Sequence, residues 1–171
     1  MKIILSLLLL LSIGTTVRGA KLYQDSPHNI STIKVNDPAD PVQMFAAQEL
    51  QKHLKLISGV EYPIGEAESP TFVIGRNAPS DTEKPANGEG RYTFENETLY
   101  FYGENSYDTK RPLDKILAER HSRTGTLNSV YTFLDRECGI RWIAPGDENI
   151  LFTLHRPVVM EEKKTVKWNS P

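Results

Sequence analysis

Hydrophobic residues recur at three- and four-residue spacing in two stretches of the chain, and this spacing predicts two amphipathic helices. In the first stretch, residues 41–57, the apolar stripe consists of Phe45, Ala46, Ala47, Leu50, Leu54 and Ile57. In the second stretch, residues 126–138, the stripe consists of Leu127, Val130, Tyr131, Leu134 and Cys138. Each helix is therefore expected to bury one face only.

Both helices have recognisable ends. Asp40 can cap the first helix, and Gln43 at its third position completes a capping box. Gly59 and Gly139 follow the two stripes and are placed to end the helices in the left-handed conformation. Within the charged stretch that precedes the second helix, residues 112–117 predict one or two further helical turns.

Strands are predicted from alternation and from one continuous apolar run. Residues 71–75, after a proline and up to a glycine, are typical of a central strand covered on both faces. Residues 91–95 and 99–103 alternate around a polar tetrapeptide and predict a hairpin with a turn of about four residues. Residues 76–90 have no period and predict a surface loop. Shorter extended segments are predicted at residues 31–35, 60–64, 140–143, 150–154, 158–160 and 165–168.

The order of these elements is strand, helix, strands, hairpin, helix, strands, without an internal repeat. This order predicts an α/β fold in which a mixed β-sheet carries the two main helices on one face. The other face would be left to hairpin aromatics or to a partner domain. After a leader at residues 20–29, residues 30–168 are expected to form one domain, and residues 169–171 begin a linker or tail.

Residues 1–19 carry the pattern of a cleavable secretory signal peptide. A lysine supplies the positive charge, residues 3–13 are almost all apolar, and residues 17–19 offer a cleavage site. A membrane anchor is the alternative, but about eleven apolar residues fall well short of the roughly 20 that span a bilayer. We therefore expect a secreted or periplasmic protein with no membrane association after cleavage. Met1 would be the true start, so that any lost segment would follow Pro171.

Composition excludes some classes of partner. The formal net charge is −2, and loss of Lys2 and Arg18 with the signal peptide lowers it to about −4. Because lysines and arginines are not clustered, nucleic acid is not expected as a partner. Cys138 is the only cysteine, which excludes an internal disulfide and predicts a buried, inert thiol on the second helix.

The sequence offers little sign of a metal or cofactor site, and we expect neither. His53 lies one helical turn after Glu49, but both are predicted to be solvated on the polar face of the first helix rather than to bind a metal. Asp114, His121 and Ser122 contain the groups of a catalytic triad, yet no nucleophile elbow accompanies them.

Glycoside hydrolysis requires two carboxyl groups that face each other across about 5 to 9.5 Å. The nearest candidates are Glu137, Asp147 and Glu148, and all three are predicted to be solvated turn residues. We therefore expect no catalytic residue in this chain.

Arg123, Thr124 and Gly125 precede the second helix and allow two interpretations. Free backbone N–H groups at a helix N-terminus can bind an anion, but capping by Thr124 or Thr126 explains the local sequence better. N-glycosylation acceptor patterns begin at Asn29 and at Asn96, the second of them on the predicted hairpin turn.

Two longer stretches resemble a known domain. The sequence FAAQELQKHL at 45–54, which continues into ISGV at 57–60, resembles the first helix of the α/β domain that precedes the catalytic barrel in many glycoside hydrolases. The sequences GTLNSVYTFL at 125–134 and GIRWIAPG at 139–146 are similar to the second helix and the following strand of that domain.

Together with the strand FVIG, the resemblance covers nearly all of residues 30–168. The family is the N-terminal domain of alpha-glucuronidases and the related second domain of beta-hexosaminidases. The resemblance implies a beta-hexosaminidase domain 2-like sandwich, with the catalytic acid and base on a following (β/α)8 barrel. A barrel needs about 250 residues, and the sequence contains none.

The resemblance thus implies a non-catalytic accessory domain of a secreted, polysaccharide-degrading glycoside hydrolase system. Its partner would be a catalytic (β/α)8 domain or a separate glycosidase subunit, and the edge formed by Arg123, Thr124 and Gly125 is the expected contact. Two alternatives remain open. One is a carbohydrate-binding module, and the other is a protein-interaction domain with no link to carbohydrate.

In the carbohydrate-binding alternative, Tyr100, Tyr102 and Trp142 would stack on sugar rings. Because all three residues lie on predicted strands, they could equally belong to the core. A contiguous patch of exposed aromatic rings would favour the first of these interpretations.

Overall fold

The computed structural model describes residues 20–21, 32–68, 70–119, 121–144, 149–152 and 159–168. The predictions for the signal peptide, for most of the leader, for the Asn29 glycosylation pattern, for Asp147 and Glu148, and for the tail lie outside these residues. The described strands are β1 (Ala20–Lys21), β2 (Ile33–Val35), β3 (Phe72–Ile74), β4 (Gly90–Glu95), β5 (Thr98–Gly103), β6 (Asn105–Ser106), β7 (Arg123–Thr124), β8 (Arg141–Trp142), β9 (Ile150–Leu151), β10 (Val159–Met160) and β11 (Thr165–Trp168). The described helices are α1 (Pro41–Ser58), α2 (Leu113–Ala118) and α3 (Gly125–Arg136).

Five strands form the main sheet, in the order β11-β4-β5-β3-β2. Strands β2, β3 and β5 run parallel to one another, whereas β4 is antiparallel to both β5 and β11. The predicted α/β class with a mixed sheet is therefore confirmed. Strand β3 has a neighbour on each side and all three of its residues are buried, as the continuous apolar run predicted.

The helices pack on one face of this sheet. Alternate residues of the strands point towards them, including Phe72, Leu99 and Phe101. These side chains share one core with Leu50 and Leu54 of α1, and with Val130, Phe133 and Leu134 of α3. Ile116 of the short helix α2 is also fully buried in this core. The two amphipathic stripes therefore face the sheet from the same side, as predicted.

Helix α1 has the predicted ends, but its first turn differs in detail. The Asp40 carboxylate accepts hydrogen bonds from the backbone N–H groups of Val42 and Gln43, at 2.9 and 3.2 Å. The side-chain oxygen of Gln43 accepts from the backbone of Asp37 (3.2 Å), whereas its amide nitrogen donates to Asp40 (3.1 Å). The N-cap is thus confirmed and the reciprocal capping box is wrong, because the Asp40 N–H donates to the carbonyl of Asp37 (3.1 Å) and is not available to Gln43.

Gly59 ends α1 as predicted, whereas α3 ends at Arg136, two residues before the predicted end at Cys138. Gly59 has φ = 74° and donates its N–H to the carbonyl of Lys55, and Gly139 after α3 has φ = 72°. Both are in the left-handed region that ends helices and that other residues adopt at a cost.

The hairpin turn is shorter than predicted. Glu95 and Thr98 are paired, so the turn contains only Asn96 and Glu97, with φ angles of 51° and 64°. Two-residue hairpin turns with positive φ at both central residues have a backbone twist that matches the twist of the two strands. Each strand therefore continues one residue further into the turn than predicted.

Three of the later segments do not join the main sheet. Strand β8 pairs with β9 in a separate ribbon, and β10 pairs with β1. Only β11 joins the sheet, beside β4. The opposite edge, at β2, is partly covered by residues 63–65, whose predicted strand is reduced to a single bridge between Ile33 and Ile64. The alternation of apolar and polar residues could not predict which strands pair. Several short strands of similar composition could each have added to either edge of the main sheet.

Candidate functional site

The face of the sheet opposite the helices is covered by the loop of residues 76–89. Arg91, Thr93 and Tyr102 point towards this loop, and none of them is more than 3% exposed. Ala78 and Glu89 of the loop are also buried. The segment predicted as a surface loop is therefore in part the second cover of the sheet.

Arg91 lies at the centre of a buried ionic cluster. Its guanidinium donates to Asp81 at 3.0 and 3.2 Å and to Glu89 at 2.9 Å. The hydrogen bond from Arg91 holds the pKa of Glu89 below its ordinary value. Burial opposes ionisation of Asp81, but hydrogen bonds from Tyr102 and Arg91 outweigh it and lower the pKa of Asp81 as well. Both acidic groups therefore stay ionised.

A chain of hydroxyl groups leads from this cluster towards the surface. The Tyr102 hydroxyl donates to Asp81 (2.5 Å), Thr93 lies 2.9 Å from Tyr102, and Thr93 lies 2.8 Å from the hydroxyl of Thr165. Burial and the neighbouring Asp81 raise the pKa of Tyr102, so its hydroxyl keeps its proton. Since that proton is given to Asp81, Thr93 donates to Tyr102 and Thr165 donates to Thr93. The oxygen of Thr165 is thereby left as an acceptor.

Thr165 lies in a crevice of about 350 Å³ between the loop and strand β11. The crevice is lined by Ser80, Asp81, Thr82, Glu83, Lys163, Thr165 and Lys167. On its rim, the ammonium of Lys167 donates to Glu83 at 3.3 Å, and that of Lys163 lies 4.0 Å from Glu95. The walls are therefore polar, with charges of both signs and three hydroxyl groups.

A second, apolar surface lies on the helix side of the molecule. It comprises Trp142, Ile143, Leu151 and Phe152 on and beside the β8–β9 ribbon, and we call it the ribbon surface. Their exposed fractions are 37%, 68%, 58% and 37%. The Trp142 ring packs edge-on against Tyr131 of α3 and His53 of α1, with both ring centroids at 5.4 Å. The ribbon is thus anchored on the helices through Trp142, and Ile143 and Leu151 are the most exposed of the four side chains.

The prediction that His53 and Glu49 are solvated is wrong. His53 is 1% exposed, and its Nδ1 lies 2.8 Å from the backbone oxygen of Glu49. The Glu49 carboxylate accepts from the Tyr131 hydroxyl at 2.8 Å. The ribbon covers this side of α1, and helix periodicity could not predict such a contact. Within the described ranges, no three His, Cys, Asp or Glu side chains are grouped as a metal site requires.

The edge formed by Arg123, Thr124 and Gly125 is held mainly by contacts with other residues of this chain. Arg123 donates to Asn87 at 3.1 Å, and Thr124 makes no capping hydrogen bond. Instead the side chain of Asn105 caps the helix: it accepts from the N–H of Thr126 at 3.1 Å and donates to its hydroxyl at 2.9 Å. The cap predicted from Thr124 or Thr126 is therefore wrong, because the capping side chain, Asn105, comes from strand β6.

Three glycines allow α3 to begin directly on the sheet. Gly90 and Gly103 are cross-strand partners, and Gly125 lies against both. A Cβ atom on Gly103 would lie 2.4 Å from the backbone of Gly125, and one on Gly125 would lie 2.4 Å from the carbonyl oxygen of Glu89. Gly125 thus has a structural reason for its position.

The three aromatic candidates do not form one patch. Tyr102 is 1% exposed beneath the loop, which excludes it as a stacking surface. Tyr100 is half-buried on the same face of the sheet, whereas Trp142 lies on the helix side.

Among the catalytic candidates, Glu137 accepts a hydrogen bond from Tyr92 at 2.6 Å, and Ser122 donates to Glu119 at 3.3 Å.

The ionic cluster and its hydroxyl chain were not predicted. Their signal in the sequence is the alternation of Glu89, Arg91, Thr93 and Glu95 with the apolar residues of β4.

Asn96 of the second glycosylation pattern is exposed at the hairpin turn. No helix within the described ranges is long and apolar enough to cross a bilayer. No protein-family model matches the sequence, and a search of curated proteins gives no match.

Proposed function

We propose that this chain is a non-catalytic accessory domain of a secreted glycoside hydrolase system, with a beta-hexosaminidase domain 2-like sandwich fold. In this role it packs against a (β/α)8 catalytic domain or a separate glycosidase subunit. The proposal rests on the resemblance of the two helices and their following segments to the N-terminal domain of alpha-glucuronidases. The observed mixed sheet with helices on one face is compatible with that fold.

The ribbon surface is the observation that carries the docking role. Trp142, Ile143, Leu151 and Phe152 are all large and apolar, they are close in the fold, and each is more than a third exposed. Exposed apolar side chains grouped on one short element are typical of protein interfaces. A catalytic barrel that covered them would remove this apolar area from water, which favours association.

The chemistry of the buried carboxylates also favours a non-catalytic role. A glycosidase acid needs a raised pKa so that it can carry a proton at neutral pH. In Asp81 and Glu89 the pKa is lowered instead, and both groups are engaged by Arg91. Such carboxylates stabilise a guanidinium rather than protonate a leaving group.

The edge at Arg123 is the second candidate contact, and its distance from the ribbon surface allows the two to be tested separately. Arg123 immediately precedes α3, whereas the ribbon follows its C-terminus. A helix of 12 residues is about 18 Å long, so one small substitution cannot perturb both surfaces. We assign the main contact to the ribbon surface, because Arg123 already binds Asn87 and is charged.

Two measurements test the proposal. The purified chain is expected not to hydrolyse glucuronosides or hexosaminides, and hydrolysis that is lost when a carboxylate of this chain is replaced would refute the non-catalytic role. The chain should also co-elute with a glycosidase barrel encoded by a neighbouring reading frame.

The variant Ile143→Asp, combined with Leu151→Asp, is expected to weaken this complex by more than about 100-fold, because it places charges in an apolar contact. Arg123→Glu is the matched control at the other end of α3 and should change the affinity by less than about tenfold. The reverse ranking would assign the contact to the Arg123 edge, and no complex with any such barrel would reject the docking role.

A further inference from the structure

We propose that the crevice between residues 80–83 and strand β11 binds a neutral saccharide of one or two rings. Its volume of about 350 Å³ lies at the lower end of the range for ligand sites in proteins. The crevice lies on the loop face of the sheet, away from the ribbon surface, so this inference does not depend on the docking role.

The charges around the crevice favour a neutral ligand. The charges that line it lie beside opposite charges: Asp81 is 3.0 Å from Arg91, Glu83 is 3.3 Å from Lys167, and Lys163 is 4.0 Å from Glu95. Both oxygens of Asp81 are already engaged by Arg91, which leaves this carboxylate unsuited to metal binding. Among these lining residues each charge thus already has a counter-charge, whereas a neutral molecule with many hydroxyl groups can hydrogen-bond to the polar groups without displacing one.

The crevice contains both hydrogen-bond acceptors and hydrogen-bond donors for the hydroxyl groups of a ligand. The ordered chain through Thr93 and Tyr102 leaves Thr165 as an acceptor, and Glu83 is a second acceptor. The two lysines are donors, and the hydroxyls of Ser80 and Thr82 can act in either sense. A sugar hydroxyl donates one hydrogen bond and accepts others, so adjacent hydroxyls of one ring can use both kinds of group.

The two hydroxyl groups behind Thr165 are held in place before any ligand binds. Thr93 is 0% exposed and Tyr102 is 1% exposed, so their hydroxyl groups cannot turn to water. A preorganised group loses little freedom on binding, which favours recognition of a small ligand.

The test is a titration of the ¹⁵N-labelled full chain, followed by amide NMR, with xylose, glucose, N-acetylglucosamine and cellobiose. We expect at least one of these sugars to give saturable shifts at residues 80–83 and 163–167. Sodium glucuronate and magnesium chloride serve as the anionic and cationic comparisons and should give weaker, non-saturating changes there. Stronger binding of either ion than of every neutral sugar would overturn the assignment of ligand class.

Two variants locate the site. Thr165→Val keeps the shape of the side chain and removes the hydroxyl, and it should weaken binding about fivefold, as expected for one neutral hydrogen bond. Lys163→Gln alters only an exposed rim residue, so it should keep the fold while also weakening binding. Ser106→Ala, at an exposed position outside the crevice, is the control that should not change the affinity. The proposal fails if no neutral sugar causes saturable shifts in the crevice, or if both crevice variants bind like the control.

Discussion

The main sheet is covered on one face by helices and on the other by a loop, and the two coverings are held by different interactions. On the helix face, rings such as Phe101 and Phe133 pack edge to face with centroids 5.3 Å apart, within one cluster of buried hydrophobic side chains. On the loop face, Arg91, Asp81 and Glu89 form a buried ionic cluster that continues into hydroxyl groups. The helix face depends on the area removed from water, whereas the loop face depends on every buried charge having its partner.

The largest expected effect comes from a cavity in the helix face. Phe133→Ala removes a fully buried ring that contacts Tyr92 and Phe101, and should lower the free energy of unfolding by about 4 kcal/mol. Chemical denaturation followed by circular dichroism measures this change. Phe152→Ala, at a partly exposed position, is the control and should cost less than about 1 kcal/mol. Equal losses in the two variants would contradict the assignment of Phe133 to the core.

The loop face should respond most to loss of its central cation. Arg91→Met leaves Asp81 and Glu89 buried without their partner and should lower the free energy of unfolding by about 3 kcal/mol. The triple variant Arg91→Met, Asp81→Asn, Glu89→Gln should recover part of that loss, since no unpaired charge remains.

A matched control for this pair of variants is Lys55→Met, which breaks the exposed ion pair between Lys55 and Glu61. An exposed pair contributes less than about 1 kcal/mol, so this variant should unfold almost like the parent chain. If Arg91→Met were no more costly than Lys55→Met, the ionic cluster would not hold the loop face together.

A smaller effect is expected where α3 meets the sheet. Gly103→Ala places a methyl group 2.4 Å from the backbone of Gly125 and should cost about 2 kcal/mol, because backbone atoms must shift. Gly65→Ala is the control, since nothing lies within 4 Å of its added methyl group. Thermal unfolding of the two variants should therefore differ clearly. A neutral Gly103→Ala variant would show that the helix can move away from the sheet.

The smallest expected effect is a pH dependence of the free energy of unfolding that arises from the carboxylates of the loop face. The pKa values of Asp81 and Glu89 are lowered in the folded chain, so their stabilising contribution is complete above their ordinary values of 3.8 and 4.5. It is lost as the pH falls through these values towards the lower folded pKa values. The free energy of unfolding should therefore decrease below about pH 5 in the parent chain. In the triple variant this decrease should be shallower, and an identical pH profile would contradict the role of the two carboxylates.

The sequence by itself determined the features that depend on neighbours along the chain. The helical stripes, the Asp40 cap and the glycines Gly59 and Gly139 are local, because each needs only residues within about one turn. The α/β class followed from the order of such elements. The positions of the hairpin and of β3 could also be predicted, since their alternation or continuous apolar run is likewise local.

Only the tertiary structure decided which segments meet across long separations. The cap of α3 comes from Asn105, His53 is buried by the ribbon that carries Trp142, and Asp81 reaches Arg91 from a loop without a periodic pattern. The sequence specifies each of these side chains but not its partner. Loops fold back to whichever donor, acceptor or apolar surface their length allows, so burial of polar groups is decided by contacts that no local pattern encodes.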